Sequence, residues 1–450
     1  MTSEFQSTLE AQPNRAATNV RYEVLAFLSV SAAIAYICRN AVGVAESTIS
    51  SDLGLSREES GWFMGTFFWS YALLQIPGGW VAQRQGAKFA MLLFTIAGSA
   101  ATCTIGLAPG LLFLLIGQLL MGASQAGLFP TATVTIAHWT PLAQRAFCCG
   151  MLAMGMQLGA VASSVITGRF LTSLANTEIA DSAWRWVFFV YSIPGLIWAF
   201  LFFFRFHNLP QAHPQVNNEE LRLITAGKDS GASSRRNVAP TPWKQILSNP
   251  SIWFLCGQQA CRAGSYMFFA SWFPTFLQET RGVSVEKSGY LQALIFCGSL
   301  TGCVIGGWLT DWILKKTGSL RWSRSLVGAG FLFGCSALIL AAWTVEDLQL
   351  AIGLLACGAL FSALVGPCAY SSSIDLGGNY VPQVFGLMNM VGNLATAASP
   401  IAVAYLFKLT DSWTFILLGF SAVYFVGAAC WLFVDPTQKV EAELAPLEAN

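Results

Sequence analysis

Apolar runs recur from one end of the chain to the other, near 23–47, 60–82, 88–107, 109–136, 143–170, 183–206, 250–278, 288–312, 323–343, 348–374, 379–406 and 411–434. Each reaches about the 20 residues that a helix needs to cross a bilayer. Runs of this kind satisfy their backbone groups in lipid only as helices. The period-two alternation of a membrane barrel strand is absent. The pattern therefore predicts an all-α integral membrane protein with twelve transmembrane helices. The longest polar stretch, roughly 207–247, divides the spans six and six. It predicts an N-terminal six-helix bundle over 1–206, a linker over 207–247 with some helix around "NEELRLI", and a C-terminal bundle over 248–450.

Composition agrees with a lipid-facing surface. Of the 450 residues 54% are hydrophobic and only 10% charged, where soluble domains carry about 25%. The net charge of +1 argues against a nucleic-acid partner. The polar first 20 residues lack the apolar core of a cleaved signal. The 12 cysteines show no metal-ligand spacing and read as small polarisable packers, so neither a metal nor a cofactor is expected. His138, His207 and His213 fall at the boundary or in the linker and read as surface residues. No nucleophile–base constellation points to an enzyme.

An even number of spans puts both termini on one side. Of the 24 Lys and Arg, 16 fall on that side, and six (Arg57, Arg169, Arg185, Arg281, Lys287 and Lys408) fall opposite. The positive-inside rule places the termini in the cytoplasm, and a bacterial inner membrane is the expected location.

The two halves read as copies. "PGGWVAQRQGAK" (77–88) follows the second span and "IGGWLTDWILKKTG" (305–318) the eighth. Each puts Gly-Gly-Trp before a short basic turn, with Gly79, Arg84, Gly86 and Lys88 in one and Gly307 and Asp311 in the other. "ICRN" puts Arg39 on the first span, and "ACRA" puts Arg262 on the seventh. Arg39 to Gly79 is 40 residues and Arg262 to Gly307 is 45, so order and spacing both repeat.

Arg39 and Arg262 are the two Lys or Arg residues that lie well inside spans. Arg39 stands about 24 Å along its helix from Glu23, and Arg262 about 18 Å from Pro250, beyond easy snorkelling to the surface. A charge at that depth disfavours insertion by at least about 2.5–3.5 kcal/mol and tends to face a cavity or a partner. Glu46, seven residues after Arg39, shares its face and is a candidate partner through water. Otherwise the spans hold almost no acid, so a small anion is the expected counter-charge. Guanidinium forks suit carboxylate or phosphate. Structural bonding of both arginines to carbonyls is the alternative.

Other polar residues share faces with them. Tyr36 precedes Arg39 by about one turn, Tyr71 and Gln75 are four apart, and Gln258, Arg262 and Tyr266 form a stripe. Asn389, Asn393 and Thr396 line one side of the eleventh span. These are candidate substrate contacts, with interhelical hydrogen bonding as the competing role.

Six-plus-six spans with a basic turn between the second and third of each half resemble the major facilitator superfamily. "GWFMGTFFWSYALLQIPGGW" (61–80), "SAWRWVFFVYSIPGLIW" (182–198), "SWFPTFLQETRGVSVEKSG" (271–289) and "GLMNMVGNLATAASP" (386–400) are similar, within it, to the anion:cation symporter family. That family includes bacterial hexuronate and galactonate transporters and vesicular glutamate and sialic acid carriers. The resemblance implies two bundles around a cavity opened alternately to each side, and a monomer that moves a small organic anion with H+ or Na+ as the co-transported ion. It adds Gln125, at a position where relatives carry Glu, to the candidate site.

The chain departs from that family at the coupling positions. Relatives carry Asp before the first-span arginine, where Cys38 stands here. On their fourth span Arg and then Glu precede a Phe-Pro by the spacing at which Gln118 and Gln125 precede Phe129-Pro130. Gln83 replaces the Asp of the first-half turn. Glutamine does not titrate, so proton symport is in doubt and Glu46 becomes the substitute coupling candidate. Anion exchange, potential-driven uniport and phosphate or organophosphate antiport stay open. A non-transporting membrane sensor is the reading from another class.

Overall fold

The computed structural model describes residues 16–141, 145–225, 243–377 and 380–440; the side chains of 76, 80, 83, 137, 145–147, 381 and 382 are also outside the description. The predicted linker segment 226–242, and the side chains of Trp80 and Gln83 in the first-half turn motif, lie outside the described residues. Among the described residues there are sixteen α-helices and no strands. The first half comprises α1 (Val20–Leu53), α2 (Arg57–Gln85), α3 (Ala87–Gly106), α4 (Leu111–Ala126), α5 (Leu128–Trp139), α6 (Arg145–Leu174) and α7 (Ala183–Arg205). The short helices α8 (Asn218–Thr225) and α9 (Trp243–Ser248) lie between the halves. The second half comprises α10 (Pro250–Ala270), α11 (Phe273–Arg281), α12 (Val285–Thr317), α13 (Val327–Thr344), α14 (Leu348–Gly377), α15 (Val381–Thr410) and α16 (Trp413–Phe433).

Counted as spans these are twelve, because α4 with α5 and α10 with α11 are single crossings broken midway. Ten crossings are apolar enough to be recognised by length and composition. The others, α2 and α10, are diluted by polar and amphipathic residues: Trp62, Trp69, Ser70, Tyr71 and Gln75 in α2, and Gln258, Gln259 and Arg262 in α10. The breaks have a local cause: Pro130 and Pro274 sit in the first turns of α5 and α11, where a missing N–H is tolerated. Several helices run past the predicted span ends. Ser56 caps α2 with a capping box to Glu59, which satisfies orphan amides beyond the apolar run.

The pairing of spans repeats between the halves. The first packs on the fifth (α1 on α6) and the seventh on the eleventh (α10 on α15). The second packs on the fourth (α2 on α4), and the eighth on the tenth (α12 on α14). Glycines permit these approaches. On α12, Gly298, Gly302 and Gly306 form a strip against α14, and a Cβ on them would lie 2.6, 2.3 and 2.6 Å from carbonyl oxygens there. In both Gly-Gly pairs it is the first glycine that packs tightly: a Cβ on Gly78 would lie 2.6 Å from Gly127 Cα, whereas one on Gly79 would meet only ordinary contact and one on Gly307 open space.

The halves meet along α2 with α15, α6 with α12 and α1 with α11. A Cβ on Gly61 would lie 2.8 Å from the Pro400 carbonyl oxygen, and one on Gly65 would lie 2.5 Å from that of Ala397, so α2 and α15 touch backbone to backbone. On the face opposite the chain ends, here called distal, polar bonds reinforce this contact. Arg57 donates to both carboxylate oxygens of Glu279 at 2.8 and 3.0 Å, and its guanidinium lies 3.8 Å from the Phe407 ring centroid. Lys408 pairs with Glu58 and holds that carboxyl below its usual range. Ser164 donates to Gln292 at 2.6 Å.

On the other face α8 docks onto the start of α1. Glu220 is fully buried and accepts from the backbone amides of Val20 and Arg21 at 3.2 and 3.0 Å and from the Arg21 guanidinium at 3.1 Å. A carboxylate at a helix N-terminus satisfies free amides and complements the helix dipole. His213, expected at the surface, is instead buried against the edge of Trp139, because the linker folds back over α5.

Candidate anion site between the halves

Arg39 lies midway along α1 and is half-buried. Four aromatic rings surround its guanidinium, with centroids at 4.4 Å (Phe68), 4.6 Å (Phe67), 5.1 Å (Tyr71) and 5.2 Å (Tyr36). Phe67 stacks on Tyr71 at 5.5 Å, which fixes two walls of the enclosure. Ring faces attract a cation without neutralising it, so the positive charge stays available. Tyr36, Arg39, Tyr71 and Gln125 line one cleft together with Ser31 and Phe129. The Tyr71 hydroxyl stands within reach of Arg39 and Gln75. Gln125 donates to the Ala35 carbonyl at 3.1 Å, tying α4 to α1 beside the arginine.

The second half supplies a matching group. Arg262 on α10 donates from Nη2 to Gln259 Oε1 at 3.0 Å, and its buried Nε has no hydrogen-bond partner. Tyr370 on α14 reaches the same guanidinium, and Tyr266 stands close enough to interact with its charge. Tyr36 is near enough to Tyr71, Tyr266 and Tyr370 to interact electrostatically with all three. Tyr36, whose ring lies 5.2 Å from the Arg39 guanidinium, thus links the surroundings of Arg39 to the tyrosines near Arg262. Asn389 on α15 donates to Gln75 at 3.3 Å across the halves. Among the described residues no carboxylate pairs with either arginine.

Several expected residues stand elsewhere. Glu46 is 4% exposed, and its carboxylate accepts from Ser50 at 2.7 Å and from Thr275 of the other half instead of turning to Arg39. Cys38 is buried, with its thiol toward the Tyr191 carbonyl at 3.5 Å, so it faces α7 and away from the cleft. Gln118 is buried in the first half with its carbonyl oxygen unpartnered. Asn393 is half-buried and forms no hydrogen bond within the described residues. Thr396 returns its hydroxyl to the Gly392 carbonyl of its own helix at 2.9 Å. Gln258 is fully buried and donates to Leu255 of its own helix, leaving Gln259, three residues before Arg262, as the partner. In the turn motif Gly86 holds φ +89°, a backbone conformation glycine adopts freely, and Asn208 accepts from the Lys88 amide at 2.7 Å. Asp311 is exposed.

Two members of the cluster were absent from the sequence expectations. Gln259 shares the Arg262 face at the i−3 position, so the spacing rule admits it as readily as Gln258. Tyr370 carries no such signal, since only the packing of α14 brings it to α10.

Comparison with known proteins bears on the family and the fold. The family model of the Major Facilitator Superfamily matches residues 28–400. A probable sulfoacetate transporter of Cupriavidus necator is 29% identical over 94% of this chain and 95% of its own length. A probable galactarate/D-glucarate transporter of Bacillus subtilis is 29% identical over 94% of each chain. The crystal structure of a bacterial homologue of the lysosomal transporter Spinster, inward-facing and occupied, superposes with a TM-score of 0.72 at 18% identity, covering 93% of this chain and 95% of that one.

Proposed function

Since the chain belongs to the Major Facilitator Superfamily, as a multi-pass membrane transporter and not an enzyme, we propose that it moves a small organic anion, a sugar acid or another carboxylate, by alternating access. What supports this reading is the pair Arg39 and Arg262, one deep in each half and neither paired with a carboxylate among the described residues. An anion bound between them is held by both halves at once. Its binding energy then favours states in which the halves approach, which is how a ligand biases a two-state equilibrium. The distal contacts Arg57–Glu279 and Glu46–Thr275 belong to the state closed on that face. Tyr36, Tyr71 and Tyr266 offer hydroxyls to the substrate. The Gln75–Asn389 bond gives those two amides a second role, bridging the halves beside it.

Coupling is the finer part of the proposal. Cys38, Gln118 and Gln125 leave the site without the titrating groups of proton symport, so exchange or potential-driven movement is favoured, the latter drawing about 2.3 kcal/mol per charge per 100 mV. The distribution of Lys and Arg places both termini in the cytoplasm. Purified protein in liposomes tests the reading with a panel of carboxylates and phosphate esters at two pH values, with and without an imposed potential. Saturable anion flux that Arg39→Ala and Arg262→Ala each abolish is the expected result. Undiminished flux in both variants removes the role given to the arginines.

A further inference from the structure

The charge count at the site says more about the substrate than that it is an anion. Arg39 is enclosed by neutral rings, and Arg262 bonds a neutral amide, with Tyr370 in reach and Tyr266 near enough to feel its charge. On the transport reading above, these two positive charges face one space between the bundles. A singly charged ligand leaves one of them uncompensated when water is excluded, and an unpaired buried charge is strongly disfavoured. A doubly charged ligand leaves none.

The aim of the second arginine is itself built. Gln259 is 5% exposed, and a Cβ added to Gly392 of α15 would come within 2.9 Å of its Cγ. The amide thus lies flat over a glycine, wedged between α10 and α15, with its carbonyl oxygen turned to Arg262 at 3.0 Å. A neutral acceptor here orients the guanidinium and leaves its charge unspent, and Nε remains an open donor.

Resting on the transport reading above, we propose that this site selects anions bearing two negative charges over those bearing one, and that Gln259 is the positioning residue that holds Arg262 for the second charge. The charges sit either on two acidic groups, one toward each arginine, or on a single phosphate-like group between them.

Binding to the purified full-length protein in detergent, followed by thermal stabilisation, tests this with four probes. Galactarate and sulfoacetate carry two acidic groups, galactonate carries one, and inorganic phosphate carries its charge on one group. The wild type should bind a doubly charged probe about thirtyfold or more tightly than galactonate, the effect of removing one partner from a buried charge pair. Tight phosphate binding points to the single-group arrangement, and tight galactarate or sulfoacetate binding to the two-ended one. Gln259→Glu places a carboxylate on Arg262 and should erase the preference by weakening doubly charged probes while changing galactonate little. Gln259→Met, similar in volume and uncharged, removes the acceptor that aims Arg262 and should weaken the doubly charged probes more than galactonate, shrinking the preference without abolishing it. Equal wild-type affinity for one and two charges overturns the proposal while leaving anion transport intact. A folded Gln259→Glu protein that keeps the preference overturns the role of Gln259. If no anion binds the wild type, both this proposal and the transport reading fall.

Discussion

Gly43 offers the sharpest test of how the halves close on the distal face. It lies on α1, and a Cβ there would stand 2.1 Å from the Ala270 carbonyl oxygen and 3.1 Å from that of Ser271, both in the other half. The first distance falls roughly 1.3 Å short of the 3.4 Å at which ordinary contact begins. Both obstacles are backbone, so no rotamer relieves them; α1 must move away from the α10–α11 break. Overpacking of this kind disfavours a structure by typically about 1–3 kcal/mol. Only the distally closed state bears that strain. Gly43→Ala should therefore shift the equilibrium between closed and open distal faces by about 5- to 150-fold. Pulsed EPR distances between labels at Asp181 and Glu346, exposed positions in distal turns of the two halves, read that equilibrium, with reactive native cysteines removed. The variant should populate longer distances and lose flux while keeping its thermal midpoint within a few degrees. Gly78→Ala is the contrast, because its clash with Gly127 lies inside the first half and should lower the midpoint without lengthening the distance. Unchanged distances and wild-type flux in Gly43→Ala would refute the reasoning, since they would mean that the 2.1 Å approach is not a feature of any state the transporter must visit.

The polar part of the same seal should respond to smaller changes. Thr275→Val removes one of the two hydroxyl donors to the buried Glu46 carboxylate and should weaken distal closure by about 1–3 kcal/mol, read by the same distances; a change below a few tenths would deny the bond a role in the seal. The linker should respond to acid. Burial is the main cause that holds His213 below the usual imidazole range, so the docked form binds fewer protons than the released one. Its docking is unperturbed above the ordinary histidine pKa of about 6.5 and weakens as pH falls below it. The protection of amides 211–225, measured as exchange relative to the intrinsic rate at each pH, should fall between neutral and mildly acidic pH, and His213→Gln should remove that dependence.

How far the chain could be read without its fold differs from residue to residue. Arg39 and Arg262 stood out because charges so deep in apolar runs are rare, and the repeat of "CR" in each half related them before any contact was known. Gln259 was hidden by an ambiguity of helical spacing: positions three and four residues from Arg262 lie on one face, and only the wedge against Gly392 decides between them. Glu46 misled for the opposite reason. Its spacing from Arg39 is correct for a shared face, but α11 of the other half approaches that face and supplies Thr275.

The sequence by itself determined the helical class and the number of apolar spans, and it predicted two repeated halves and a positively charged site. Each follows from quantities local to the chain: run length against bilayer thickness, order of motifs, and the rarity of charge in lipid. The tertiary structure alone decided which glycine of each pair packs, that Cys38 faces α7, that Glu46 seals the distal face, and that Tyr370 reaches Arg262. These depend on contacts between helices far apart in sequence, where packing distance and not periodicity sets the partner.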